Sequence, residues 1–266
     1  MKKFWGFLLV IVLMTSCGEY QSLLKSNDYN LVYKKAIEYY NKGDYQRAMN
    51  LLDGVRSVFV GQAKAQNIAY YRAFCSYNMK DYQIASDLVK QFIQTYPESS
   101  FAEECLYMMG FCDYKASPKP RLDQQVTEKA IREFQLYLSR YPYSMRKDKV
   151  NTYMDEMRDK LSYKAYLSAK NYYLREHYKA AVISLQNCLK DYPGSKYREE
   201  IMYMLFVSKY QMAVNSVEDK KVERYNNARE EYYYFADEYP NSRYAADVKK
   251  MYEDIEAYLE NYKFED

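Results

Sequence analysis

Residues 169–195 read AKNYYLREHYKAAVISLQNCLKDYPGS. Ala169 stands four residues before Tyr173, Glu176-His177-Tyr178 breaks the apolar spacing, and Ala181 opens a second apolar run. Eleven residues later Tyr192-Pro193-Gly194-Ser195 closes that run. The same closing phrase recurs at Tyr96-Pro97-Glu98-Ser99, Tyr141-Pro142-Tyr143-Ser144 and Tyr239-Pro240-Asn241-Ser242, at the same offset from Ala85, Ala130 and Ala228. Ala48 has Phe59 at that offset, so a first copy keeps the register without Tyr-Pro. Self-similarity at a period of roughly 34–50 residues signals stacked helical hairpins, which present extended binding surfaces.

The opening half of the unit also repeats. Ala36, Tyr40, Gly43-Asp44-Tyr45 and Ala48 share their spacing with Ala73, Tyr77, Lys80-Asp81-Tyr82 and Ala85. These spacings resemble the tetratricopeptide repeat. Each position has a physical reason. Ala36, Ala73, Gly110 and Ala169 let the second helix of the hairpin approach the first closely, and the later alanines do the same from the other side. Each proline ends the second helix, because the residue before proline is pushed out of the α region. The serine two residues on is placed to cap the next helix, and Glu103, Asp148 and Glu199 then fall in its first turn. The expected fold is all-α: about five hairpins in a tetratricopeptide-repeat solenoid, with residues 244–262 as a capping helix. Pro118 and Pro120 mark a loop over Ala116–Asp123, residues 146–175 read as one long helix, and 215–220 as a polar extension. Where the first copy lacks its proline, Gly61 is expected to stop the helix.

Composition agrees with helices. Only 7 Gly and 6 Pro occur in 266 residues, four of those prolines lie in the repeated phrase, and no alternating strand pattern is present. Charged residues make up 28% and the mean hydropathy is -0.65. Cys75, Cys105, Cys112 and Cys188 lie among apolar neighbours in helical stretches and read as small buried hydrophobes. Cys105 and Cys112, seven apart on one helix face, are about 10 Å apart along the axis and too far to bridge.

The first sixteen residues are different. Lys2 and Lys3 precede an apolar run from Phe4 to Met14 of signal-peptide length, shorter than the ~20 residues that span a bilayer. Thr15 and Ser16 then lead to Cys17. This resembles the bacterial lipobox, with Met14 in the usual leucine position; the competing reading is an ordinary secretory signal. The resemblance implies that Cys17 becomes a lipid-modified N-terminus and that several acyl chains anchor it stably. Losing Lys2 and Lys3 takes the formal charge from +3 to +1, so no nucleic-acid partner is indicated. The organisation reads as 1–16 signal peptide, 17–27 tether, 28–97 repeats 1 and 2, and 98–266 repeats 3 to 5 with the cap.

No chemistry is legible. His177 is the single histidine and takes the turn position of Asp44 and Asp81, no glycine-rich phosphate loop is present, and Glu103-Glu104 and Glu199-Glu200 point to different sides of a helix. No cofactor, no metal site and no catalytic residue is expected. Most of the 35 tyrosines read as fillers between helix pairs with the hydroxyl reaching a polar partner. A groove stripe is expected three before and one after the small residue of the first helix, which selects Tyr33, Ile37, Tyr70 and Phe74 as candidate peptide contacts. Core packing is the competing role for the same four.

The lipobox, length and Tyr-Pro register together resemble the BamD family, lipoproteins of the outer-membrane β-barrel assembly machinery, over essentially the whole chain. The resemblance implies a non-enzymatic scaffold, anchored by Cys17 in the outer membrane and facing the periplasm. Repeats 3 to 5 would bind a BamA-like barrel protein, and the first two repeats would meet extended segments of unfolded outer-membrane clients, alongside other lipoproteins of the machinery. Gly18 is not the Asp that retains enterobacterial lipoproteins at the inner membrane. One alternative is a CpoB-like periplasmic adaptor of envelope and cell-wall coordination, which carries a coiled coil and no lipid. Another is a SusD-like glycan-binding lipoprotein, which is about twice as long.

Overall fold

A left-handed residue stands at the bend of three hairpins. Gly43, Lys80 and Glu176 have φ of 81°, 68° and 60°. In each, the next backbone N–H returns to a carbonyl five residues back: Asp44 to Tyr39 at 2.9 Å, Asp81 to Ser76 at 2.9 Å and His177 to Tyr172 at 3.0 Å. The bent residue itself bonds three back, to Tyr40, Tyr77 and Tyr173. This double closure satisfies two orphan carbonyls of the first helix and turns the chain into the second.

The computed structural model describes residues 18–262, so the expected signal peptide over 1–16 and Cys17 lie outside the described residues. Eleven helices follow from Tyr29 among the described residues. They are α1 Tyr29–Asn41, α2 Tyr45–Val55, α3 Ala63–Asn78, α4 Tyr82–Thr95, α5 Ala102–Ala116 and α6 Gln125–Arg140. Then come α7 Lys147–Leu174, α8 Tyr178–Asp191, α9 Arg198–Val214, α10 Glu218–Glu238 and α11 Ala245–Tyr262. No described residue is in a strand. The chain divides into two compact units, one ending at Met157 and the other beginning at Arg158, both within α7.

In the first unit α1 pairs with α2, α3 with α4 and α5 with α6, and successive pairs share apolar cores. One core joins Val32, Ala36, Ala48, Leu51 and Leu52 to Ile68 and Cys75. The next runs from Ala73 and Val89 through Cys105, Leu106, Phe134 and Tyr137 to Met157. The small residues behave as their spacing requires: Ala36, Ala48, Ala73, Ala85 and Ala130 are fully buried. At Gly110 the reason is explicit, since a Cβ there would lie 2.8 Å from Cδ1 of Phe134. In the second unit α8, α9, α10 and α11 follow the remainder of α7. Ala169, Ala181 and Ala228 are fully buried there too.

Every Tyr-Pro stops its helix in one conformation. Tyr96, Tyr141, Tyr192 and Tyr239 have φ between -132° and -127° and ψ between 59° and 65°, outside the α region as proline demands. The serine two residues on is not the N-cap expected of it. The N-caps of α5 and α9 are Phe101 and Tyr197. Ser99 and Ser195 instead accept the N–H of Phe101 at 3.2 Å and of Tyr197 at 3.3 Å, ordering the lead-in turn. Ser144 and Ser242 do the same for Arg146 and Tyr244.

Three further sequence expectations change. The helix α2 ends at Val55, six residues before Gly61, whose φ of 78° re-aims the chain instead of stopping the helix. The polar extension is only 215–217, because Glu218 already begins α10. Part of the 17–27 tether is also structured: residues 18–24 are helical, with Tyr20 and Leu23 at 9% and 5% exposure in the first core. Tyr20 packs edge-on against Tyr39 at 5.9 Å, and Glu19 pairs with Lys35 at 3.1 Å.

Candidate partner-binding surface

A tyrosine stands seven residues before the tyrosine near the end of each hairpin's first helix: Tyr33, Tyr70, Tyr107, Tyr166 and Tyr203. Tyr33 and Tyr70 are two of the four candidate peptide contacts, and the structure shows what this position does. A side chain from the start of the next hairpin covers each ring. Phe101 stacks on Tyr70 at 4.5 Å, Tyr197 on Tyr166 at 4.3 Å and Tyr244 on Tyr203 at 4.0 Å. Over Tyr107 the cover is the Arg146 guanidinium at 4.8 Å, and over Tyr33 it is the Lys64 ammonium at 5.7 Å. Each stack or cation–π contact is worth about 0.5–1.5 kcal/mol beyond the area it buries. The position therefore ties neighbouring hairpins together.

The covering residues were not singled out from sequence, although a signal exists. Phe101, Arg146, Tyr197 and Tyr244 all sit two residues after the serine of Tyr-Pro-x-Ser. The same serine that orders the lead-in turn thus aims the covering side chain.

Acidic residues in the following turn complete the junctions. The Tyr70 hydroxyl donates to Glu104 Oε2 at 3.2 Å. Burial, and then the Glu104 carboxylate, pushes the Tyr70 phenol well above its usual value. Lys170 donates to both Tyr166 Oη at 2.8 Å and Glu200 Oε1 at 2.7 Å. Hydrogen bonds to Glu200 and Tyr166 raise the lysine. Farther along, Arg198 grips Glu238 with two parallel bonds of 2.5 and 2.9 Å.

The candidates fall into two separate pairs. Tyr70 and Phe74 stack at 4.2 Å, as two rings four apart on one helix face should. Phe74 is only 9% exposed and belongs to the core, so it supports Tyr70 from behind and offers a peptide little of itself. Tyr33 and Ile37 are partly exposed and rest on the first core. The core role that competed for these residues thus holds for Phe74, while Tyr33, Ile37 and Tyr70 keep surface as well. Cys17 cannot be placed, since it lies outside the described residues.

The four remaining cysteines are free and buried. Burial pushes the thiols of Cys75, Cys105 and Cys112 up to about 12 and that of Cys188 to about 11, so none is a reactive thiolate. Among the described residues no cluster of His, Cys, Asp and Glu could hold a metal ion, and no helix is long and apolar enough to cross a membrane.

The YfiO family, outer membrane lipoprotein, matches residues 25–200 and 164–265. The chain belongs to this family. The YfiO match runs across both units and every hairpin described above. No curated protein matches the chain. Among solved structures, the TPR2AB domain of yeast Sti1 in its pHSP90 complex is 14% identical with a TM-score of 0.39, covering 86% of this chain and 98% of its own. A TPR repeats protein from Bacteroides fragilis NCTC 9343 is 12% identical with a TM-score of 0.42, covering 87% of this chain and 99% of its own.

Proposed function

We propose that this outer membrane lipoprotein is a non-enzymatic scaffold of the β-barrel assembly machinery. In this reading a lipid on Cys17 anchors it to the outer membrane, facing the periplasm. Hairpins 3 to 5 bind a BamA-like barrel protein, and the first two hairpins help recognise unfolded outer-membrane clients before insertion. The YfiO match across residues 25–200 and 164–265 carries the reading. The repeat array supports it, since stacked hairpins offer broad surfaces suited to protein partners.

For clients, the exposed parts of Tyr33, Ile37 and Tyr70 are the proposed contacts, with Phe74 behind Tyr70. An extended segment with aromatic or aliphatic side chains suits such a face. Junction rings that already bear structural load leave only their edges for this role, which favours weak, adaptable contact over a deep pocket.

The test is affinity purification from the native envelope with a C-terminal tag. A near-stoichiometric BamA-like barrel protein is the expected co-purifying species. Cell-wall synthases or a glycan transporter in its place would overturn the reading while leaving the fold intact. Cys17→Ala should shift the protein from the membrane to the soluble periplasmic fraction.

A further inference from the structure

The fifth hairpin is longer than its neighbours at one end, and the excess builds a recess. In hairpins 1, 2 and 4 the first helix stops one residue past its final tyrosine, at Asn41, Asn78 and Leu174. In the fifth, α9 continues four residues past Tyr210 to Val214. The second helix is extended too: α10 starts ten residues before Ala228, whereas α8 starts three before Ala181. At 1.5 Å of rise per residue the added turns carry the α9–α10 connection past the α7–α8 bend. Two adjoining depressions of ≈ 590 and ≈ 280 Å³ occupy the step, and both are lined by Met212 and Arg224.

The lining combines apolar surface with positive charge. Ile183, 56% exposed, and Met212 supply aliphatic area. Lys179 and Arg224 face a single carboxylate, Glu176, on the larger side; on the smaller side Lys209 is already paired with Glu231. Arg224 is braced by one nitrogen: Nη1 donates to the Met212 carbonyl at 3.3 Å and to Ser216 Oγ at 2.6 Å. Its Nη2 and Nε have no protein acceptor among the described residues. A guanidinium fixed at one corner and open along the other edge is preorganised for a carboxylate.

We propose that this recess binds an extended acidic peptide segment of a partner protein. One Asp or Glu carboxylate sits on Arg224, and an adjacent aliphatic side chain lies on Ile183 and Met212. Charge complementarity selects this occupant: two cations without an ion pair among the described residues outnumber the one carboxylate. The volume lies within the usual range of peptide and small-ligand clefts. The recess lies on hairpins 4 and 5, so the inference rests on the reading that gives these hairpins a protein partner; failure of the peptide test would leave co-purification of a barrel protein untouched.

The experiment titrates the full lipoprotein, in detergent, against a fluorescent capped peptide, acetyl-Leu-Asp-Leu-Glu-amide, and against its Asn/Gln counterpart, reading anisotropy. Saturable binding of the acidic peptide is expected, weakened about tenfold or more by Arg224→Gln, by Ile183→Glu and by raised salt. Ile183 is 56% exposed, so its variant should keep the parent melting temperature, which is measured alongside the titration. Equal binding of the amide peptide, unchanged affinity in Ile183→Glu, or no saturable binding overturns the proposal. Anionic vesicles bound while the peptide is ignored would overturn it as well, giving the recess to lipid.

Discussion

Arg146 holds over Tyr107 the place that Phe101 holds over Tyr70: a guanidinium at 4.8 Å where the other junction has a ring at 4.5 Å. One backbone device, the serine-ordered turn, presents either chemistry. Arg146 also reaches Glu104 at 3.5 Å, so its charge is partly compensated. Arg146→Ala should destabilise the chain by about 1–2 kcal/mol in urea unfolding, whereas Arg146→Phe should retain most of the stability. Equal losses in the two variants would show that the Glu104 pair, and not the ring contact, holds the junction.

Gly110 offers a sharper case. Phe134 is fully buried and has nowhere to retreat from a Cβ placed 2.8 Å away. Gly110→Ala should cost about 1–3 kcal/mol by overpacking, despite the gain in helix propensity. Combining it with Phe134→Leu should recover part of that loss, because the clash and the ring leave together. The check is a double-variant cycle in denaturant.

Lys80 and Glu176 pull the other way. Both adopt the left-handed conformation that Gly43 takes freely at the same bend. Lys80→Gly and Glu176→Gly should each stabilise the chain by up to about 1 kcal/mol, the relief of strain exceeding the extra entropy of the unfolded glycine. Thermal melts of the two variants decide it; a lower melting temperature in both would mean that the strain is negligible.

A buried acid pair gives a pH signature. Asp113 and Glu133 are 2% and 8% exposed and share Lys129, at 2.7 and 3.6 Å; Lys129 also donates to Ser86 at 3.2 Å. Burial, with the Asp113 charge adding to it, pushes the Glu133 carboxyl up to about 8 from 4.5. A carboxyl raised on folding contributes its stability at acid pH and loses it as pH climbs toward that raised value. Glu133→Gln should therefore raise the melting temperature near pH 8 and change it little near pH 4. A gain confined to acid pH would contradict the assignment.

The hairpins were legible because small residues, bends and Tyr-Pro each answer to a local constraint with a fixed spacing. Ala36 with Ala48, and Tyr96 with Pro97, declare their roles within a few residues. The junctions were less so. Whether Tyr70 faces a groove or a neighbour depends on Phe101, thirty-one residues away, and no periodicity within one helix reports that. Phe74 keeps groove and core as competing roles in the sequence for the same reason, since the core it joins also holds Val89 and Cys105 from other helices. The helical segment over 18–24 was missed because it is too short to show a period. Tyr20 and Leu23 find their partners only in the finished first hairpin.

That segment alters how force enters the molecule. A slack leader would let the body swing freely about its attachment. Here any pull applied ahead of Gly18 passes straight through Tyr20 and Leu23 into the packing of Val32, Ala36 and Leu52. The N-terminal end therefore works as a rivet: load must peel a core before it can lengthen the chain.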